Sequence, residues 1–155
     1  MKRHLNYLQR AQNLAEMSEL QTKHGAIIVS SGVVLAEGIN KKEAPRKKLM
    51  SNYTSCNYGQ SVHAEYDCIY DLLINIRYGT SNVNIRRMKV DIYISRNSLE
   101  QSKPCHHCIN LLKYIGIYRV FYTTGDDNIY VCYKVAEITN GHVSRGNRST
   151  PRTFR

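Results

Sequence analysis

Two short motifs with side chains that can bind metal constrain this chain more than any other feature. They are His63-Ala64-Glu65 and Pro104-Cys105-His106-His107-Cys108. Each falls at the predicted start of a helix, where the helix dipole favours an anionic group such as a thiolate. The spacing of three places Cys105 and Cys108 on one helical face, so both sulfurs can reach a common ion. A fold that uses both motifs must bring two helix starts together.

The chemistry of these side chains fits zinc. One imidazole, from His63, and two thiolates make a soft set of three ligands, which leaves a fourth tetrahedral position open to water. Structural zinc sites normally use four protein ligands, so three ligands beside a free carboxylate indicate a catalytic site. Glu65 would lie next to the metal without being forced to ligate it. A carboxylate there can take a proton from water and return it to a leaving group.

Two other interpretations of the motifs stay open at this point. In the first, His63 is an ordinary packed histidine and the two thiols are buried at a helix start without metal. In the second, the zinc site is purely structural and takes His106 or His107 as its fourth ligand. Chance argues against the first, because both motifs would occur together in roughly one of a thousand chains of this composition.

The pattern of apolar residues predicts an α/β domain in which helices cover a mixed sheet. Helical spacing predicts three helices, over about residues 5–20, from a cap at Ser61 to a stop at Gly79, and over 105–115. Runs of β-branched residues predict five strands, over residues 25–29, 33–36, 90–94, 120–123 and 129–133. Strands separated by helices in this order favour a layered arrangement.

Positive charge is concentrated in two segments. The chain has 22 basic and 12 acidic residues, a formal net charge of +10, which favours anionic partners such as nucleotides or nucleic acid. Residues 41–60 form a basic loop, and residues 139–155 contain four arginines and no acidic residue. We therefore divide the chain into a domain at residues 1–138 and a basic C-terminal tail at residues 139–155.

The cysteines and the N-terminal residues indicate the compartment. The chain has five cysteines, and its first residues lack the apolar stretch of a secretory signal. No apolar run approaches the roughly 20 residues of a membrane span. We expect a soluble, cytoplasmic protein without a membrane partner, in which a reducing environment keeps the thiols free to bind metal.

The two motifs resemble the signature of the zinc-dependent cytidine and deoxycytidylate deaminase superfamily, which is His-x-Glu followed by Pro-Cys-x-x-Cys. The predicted order of helices and strands resembles that family as well. The resemblance implies a three-layer cytidine-deaminase-like domain with a mixed five-stranded sheet. It implies Zn²⁺ as the cofactor, with His63, Cys105 and Cys108 as ligands and Glu65 as the proton shuttle.

The same resemblance implies the reaction and the contacts to its substrate. Water activated by zinc would attack C4 of a cytosine ring, or the equivalent carbon of adenine, while Glu65 moves protons. Asn40 would contact the substrate sugar, and the Ala64 carbonyl would contact the base. The substrate is expected to be a cytosine-containing nucleotide or nucleoside, deoxycytidylate-like, and a homo-oligomer is implied because small family members usually associate.

Two alternative functions stay open. The first is deamination of a base within RNA or single-stranded DNA, which the basic segments would also serve. The second is a basic structural or assembly protein, such as one of a viral particle, that retains the deaminase fold. A virus-encoded source is left open with it. The sequence also departs from many relatives at Lys103, which precedes the Pro-Cys pair, and in the long segment from residue 96 to residue 102.

Overall fold

The computed structural model of the chain describes residues 2–42, 62–77, 84–97, 101–126, 129–139, 142–143 and 152–153. Its elements in chain order are α1 (Lys2–Ala15), β1 (His24–Ser30), β2 (Val33–Ile39), α2 (Ala64–Arg77), β3 (Asp91–Arg96), α3 (His106–Ile115), β4 (Arg119–Thr123), β5 (Ile129–Lys134), a 3₁₀ turn (Val135–Glu137), β6 (Ile138–Thr139), β7 (His142–Val143) and β8 (Arg152–Thr153). None of the helices described is long and apolar enough to cross a bilayer.

The five predicted strands form one mixed sheet, which confirms the α/β fold. The strand order is β2-β1-β3-β4-β5, and the two-residue strand β8 extends it beside β5. β1 is antiparallel to both of its neighbours, and β5 is antiparallel to β4. β3 and β4 are parallel, as expected of strands that are joined through a helix, here α3.

The first helix begins and ends earlier than the apolar spacing predicts. It spans Lys2–Ala15, because the backbone N–H groups of residues 16–18 bond to carbonyls three residues back, as in a 3₁₀ turn. Ser18, which the pattern placed on the helix, is buried and donates its hydroxyl to the Asn40 carbonyl at 2.8 Å. The sequence pattern therefore identified a buried position but not the end of the helix.

Several predicted features lie outside the described residues. They are the cap Ser61, the stop Gly79, residues 43–60 of the basic loop and most of the tail. β6, which spans the predicted division after residue 138, pairs with β7, and Arg152 of β8 pairs with Tyr130 of β5. The division of the chain at residue 138 stays a prediction.

Side chains of the sheet alternate between two layers, as the pleat of a β-strand requires. One layer packs with α2 and α3, and its sheet residues include Ala26, Ile28, Ala36, Ile92, Ile94, Val120, Tyr122, Val131 and Tyr133. The other packs with α1 and contains Ile27, Val29, Tyr93, Phe121, Tyr130 and Cys132. Helices cover both faces, which confirms the predicted three-layer arrangement.

Polar side chains on α2 cover the open edge of β2. A strand at the edge of a sheet exposes backbone groups that need partners. Three residues of α2, spaced four apart and so on one side of the helix, supply them. The bonds, each 3.0 Å long, join the Ile39 N–H to Asp67, the Glu37 N–H to Asp71, and the Asn75 amide to the Leu35 carbonyl.

α2 also approaches β2 very closely at Gly38. A Cβ atom at Gly38 would collide with the backbone nitrogen of Cys68 and with the carbonyl oxygen of Ala64. Both are main-chain atoms of α2, so neither can move aside as a flexible side chain would. Gly38 therefore fixes the distance between the strand and the helix that follows His63.

We predict that Gly38→Ala lowers the free energy of unfolding by about 1–3 kcal/mol, the usual range for overpacking a core. Urea unfolding followed by circular dichroism measures the change. Gly32→Asn is the matched control, because a Cβ at Gly32 meets no atom within 4 Å and asparagine tolerates positive φ. An unchanged unfolding midpoint for Gly38→Ala would show that α2 does not depend on this contact.

His4 lies within the aromatic cluster on the α1 side of the sheet. Its ring stacks on Phe121 at 4.5 Å between centroids, and its Nδ1 lies 2.8 Å from the Tyr93 hydroxyl. Burial, and then the nearby charge of Arg119, lower the pKa of His4 to about 4. The folded protein therefore holds this imidazole neutral at pH values where a free histidine is protonated.

We predict that this histidine makes the fold less stable in mild acid. The folded pKa is about 4 against 6.5 for the free side chain, so the unfolded chain binds more protons between these values. Its stabilising contribution is complete above pH 6.5 and declines as the pH falls towards 4. Urea unfolding at pH 7 and pH 5 should show a smaller loss in His4→Gln than in the wild type. Equal losses of stability in the variant and the wild type would contradict the lowered pKa of His4.

Candidate metal centre

The structure brings His63, Cys105 and Cys108 together at the starts of two helices. His63 directly precedes α2, Cys105 caps α3, and Cys108 lies in the first turn of α3. The Nδ1 atom of His63 lies 3.4 Å from the Sγ atom of each cysteine. All three potential ligand atoms lie within 4.8 Å of one another, and no other such group occurs in the part of the chain that is described.

The distances fit a tetrahedral zinc ion. Zinc–nitrogen bonds of about 2.0 Å and zinc–sulfur bonds of about 2.3 Å place the nitrogen and sulfur about 3.5 Å apart at a tetrahedral angle. The observed separation of 3.4 Å for both pairs agrees with this value. The interpretation of these residues as a packed histidine with two unrelated thiols does not account for three ligand atoms at this spacing.

The two histidines between the cysteines do not join this group. His106 is exposed, and its Nε2 lies 3.2 Å from the Asn110 side-chain amide. The His107 ring packs against the His106 ring in a T-shaped arrangement, with the centroids 5.3 Å apart. Neither residue belongs to the group of three ligand atoms. The described residues thus give no support to a structural site with a fourth ligand from this pair.

Cys105 is held in its thiolate form by its surroundings. Its Sγ accepts a hydrogen bond from the Cys108 backbone N–H at 3.5 Å, which makes Cys105 the N-cap of α3. Hydrogen bonds from the Cys108 thiol, from His63 and from that backbone N–H lower the pKa of Cys105 to about 3, against the opposing effect of burial. A thiolate is the form that binds metal, so the helix start prepares this ligand.

Glu65 lies beside this group as a buried carboxyl. Only 5% of the residue is exposed to solvent. Burial raises the pKa of Glu65, while its own backbone N–H, the charge of His63 and a hydrogen bond with the Cys108 side chain act in the opposite direction. A buried carboxyl with a raised pKa, next to potential metal ligands, is a candidate for a group that transfers protons.

Ser102 anchors the chain segment that leads into the second motif. The sequence pattern did not predict this role. Ser102 is buried, and its hydroxyl donates to the Ile94 carbonyl at 2.8 Å and lies 2.7 Å from the Thr123 hydroxyl. Its backbone N–H also donates to the Thr123 carbonyl at 3.0 Å. The chain entering α3 is thus tied to the carboxyl ends of β3 and β4. A serine shortly before Pro-Cys was the only available signal.

In the structure both Asn40 and Ala64, the residue that follows His63, are engaged with backbone atoms. Asn40 is buried at the end of β2, where its Oδ1 accepts from the His24 N–H at 2.9 Å and its Nδ2 donates to the Thr22 carbonyl at 2.6 Å. The Ala64 carbonyl lies against Gly38 at the contact between α2 and β2. Their roles in contacting sugar and base stay predictions.

Comparison with known proteins identifies the family. Residues 1–124 match the family described as the cytidine and deoxycytidylate deaminase zinc-binding region. The chain therefore belongs to this family of zinc-binding deaminases, as its two motifs predicted. Zinc is the metal that the family and the grouping of the three ligand atoms support. A search of curated protein sequences gives no significant match.

Solved structures agree with this fold. Cytidine deaminase from Burkholderia pseudomallei has a TM-score of 0.62 at 17% identity, covering 86% of this chain and 93% of that one. The dCMP deaminase of cyanophage S-TIM5 in apo form has a TM-score of 0.53 at 20% identity, covering 77% and 80%. The same phage enzyme in complex with dCMP and dUMP has a TM-score of 0.50 at 18% identity, covering 75% and 76%. At these identities the likeness concerns the fold alone.

We predict that Cys105→Ser and Cys108→Ser each weaken zinc binding by more than about 100-fold, because even residues outside the ligand shell affect affinity by 10–100-fold. Elemental analysis after equilibrium with a competing chelator measures the loss. Cys132→Ser is the matched control, since this buried thiol packs on the α1 side of the sheet. Full zinc retention in both site variants would exclude this group as the metal site.

Proposed function

We propose that this chain is a zinc-dependent hydrolytic deaminase of a cytosine-containing nucleotide or nucleoside, deoxycytidylate-like, with the bond broken being the C–N bond of a cyclic amidine. The observation that carries the proposal is the buried Glu65 carboxyl beside three potential ligands for one metal ion. Three protein ligands leave a coordination position for a reactant, and a carboxyl without a ligand role supplies the proton transfers.

In this proposal His63, Cys105 and Cys108 hold the zinc ion. The bound metal would act as a Lewis acid that makes water nucleophilic at neutral pH. The three ligands come from two helix starts, and a tetrahedral ion held by them would have one position left for a reactant. The bonds that lower the pKa of Cys105 to about 3 favour its thiolate, which is the form that binds metal.

Glu65 would move the protons of the reaction. The carboxylate takes a proton from the attacking water, the acid delivers it to the ring nitrogen, and a second transfer accompanies departure of ammonia. Burial raises the pKa of Glu65, so protonating this carboxylate costs less free energy than protonating an exposed glutamate. Both transfers then use one residue at one position, next to the Cys108 side chain.

Two observations support a nucleotide as the substrate. A phage dCMP deaminase with the same fold has been crystallised in complex with dCMP and dUMP, and the net charge of +10 favours an anionic ligand. A virus-encoded source, with which the phage relative is compatible, belongs to the proposal as well. We include a homo-oligomer, a deaminase domain at residues 1–138 and a basic tail at residues 139–155 in the proposal.

We predict that Glu65→Gln retains zinc and fold but loses turnover by at least about 10²–10⁴-fold, the contribution of a general acid–base group. Zinc content and circular dichroism check the first part, and ammonia release checks the second. Glu137→Gln, at an exposed surface position, is the control for loss of a carboxylate. Turnover close to that of the wild type would remove Glu65 from the mechanism, and loss of zinc would make it a ligand.

The substrate class is tested by measuring ammonia release from cytosine, deoxycytidine, dCMP, CMP, the adenine equivalents and short single strands of DNA and RNA. The proposal expects the highest kcat/KM for a free cytosine nucleotide or nucleoside. Activity confined to single strands would replace it with the nucleic-acid alternative. Absence of ammonia release from every substrate by the zinc-loaded protein would favour a structural role.

A further inference from the structure

A cleft opens between the far ends of the two helices whose starts form the metal centre. Its volume is about 400 Å³, and its lining residues are Leu73, Asn84, Ile85, Arg86, Tyr114 and Ile115. Leu73 and Tyr114 each lie nine residues beyond the metal-binding start of their helix, a distance of about 14 Å at the rise of an α-helix. The cleft is therefore separate from the metal centre.

One wall of the cleft is a turn that the backbone holds in place. The N–H groups of Arg87 and Met88 both donate to the Asn84 carbonyl at 3.1 Å. The turn also packs on the end of α3, because a Cβ atom at Gly116 would lie 3.4 Å from Cγ of Arg86. The side chains of this turn are thus presented beside α3 from a fixed backbone.

The basic residues of this turn face no carboxylate. Arg86, Arg87 and Lys89 are exposed, and none of them belongs to an ion pair formed within the described ranges. Three of the four residues from 86 to 89 therefore offer their positive charge to an anionic ligand. Five other basic residues each lie 3.9 Å or less from a carboxylate oxygen: Arg10, Lys23, Lys41, Arg119 and Lys134.

Aromatic rings lie beside these cations. Tyr114 lines the cleft and is 56% exposed, and the half-buried ring of Tyr118 has Lys89 Nζ 5.3 Å from its centroid. A nucleic-acid base can stack on an exposed ring while the phosphates of the strand meet nearby cations. An acidic side chain would meet the same cations but has no planar face to place on the ring.

We propose that this cleft binds single-stranded nucleic acid, with one base stacked on Tyr114 and the phosphates held by the three cations of residues 86–89. Bases of a double strand stack on one another, so an exposed ring favours the single strand. The inference does not depend on the proposed deaminase function. Because the cleft lies away from the metal ligands, a strand bound there leaves the metal centre accessible to a free nucleotide.

The first experiment measures binding of a labelled oligothymidylate to the zinc-loaded protein by fluorescence anisotropy. Thymine carries no amino group that a deaminase could remove, so binding is separated from turnover. Tyr114→Ala should weaken binding by about 5- to 100-fold, the contribution of one stacked base. Tyr114→Phe keeps the ring and should bind like the wild type. Wild-type affinity in Tyr114→Ala would overturn the proposal.

A second experiment tests the cations through the dependence of the same binding on salt. Arg86→Gln should reduce the slope of log K against log salt concentration by about 0.7, the value for one phosphate contact to a single strand. Arg10→Gln is the matched control, because it removes the same charge from an exposed residue that already faces Glu37. Equal changes of slope in both variants would show that only net charge matters, which would overturn the proposal.

The last comparison separates a nucleic acid from an acidic peptide. Poly-glutamate should bind more weakly than the oligothymidylate, and Tyr114→Ala should not change its affinity. Poly-glutamate binding of equal strength and equal dependence on Tyr114 would overturn the proposal in favour of an acidic peptide. Zinc content, unfolding midpoint and kcat/KM for dCMP should stay at the wild-type values in every variant, since none of the altered residues belongs to the metal centre.

Discussion

The close contact between α2 and β2 is the constraint on which the metal centre depends. His63 directly precedes α2, so any displacement of that helix moves the imidazole away from the two sulfurs on α3. The contact has two parts, a glycine that lets the backbones touch at Gly38 and a row of polar bonds from Asp67, Asp71 and Asn75 to the edge of β2. The glycine sets how closely α2 approaches β2, and the polar bonds set the position of α2 along the strand.

The features that could be predicted from the sequence are those that depend on local patterns of residues. Periodicity gave the strands and helices of the sheet, and the spacing of Cys105 and Cys108 indicated two sulfurs that reach one point. The family signature supplied the third ligand, and the structure brings all three together. These signals work because each depends on residues close in sequence or on a motif with little freedom to vary.

The remainder depends on partners that are distant in the chain. Asp67 and Asp71 look like ordinary helix-surface acids until β2 places unpaired N–H groups beside them. Ser18 continues an apolar pattern, yet its hydroxyl bonds across to Asn40, beyond the end of the helix. Such roles are set by which strand becomes an edge and where two segments meet, and neither is encoded in local spacing.

The bonds made by Ser102 have a consequence for the length of the segment before it. Asn97 is fastened to Lys23 by two hydrogen bonds of 3.0 Å, and Ser102 is fastened to the ends of β3 and β4. The residues between these two anchors can therefore be added or removed during evolution while the cysteines keep their place above the sheet. The unusual length of this segment is therefore compatible with unchanged positions of the metal ligands.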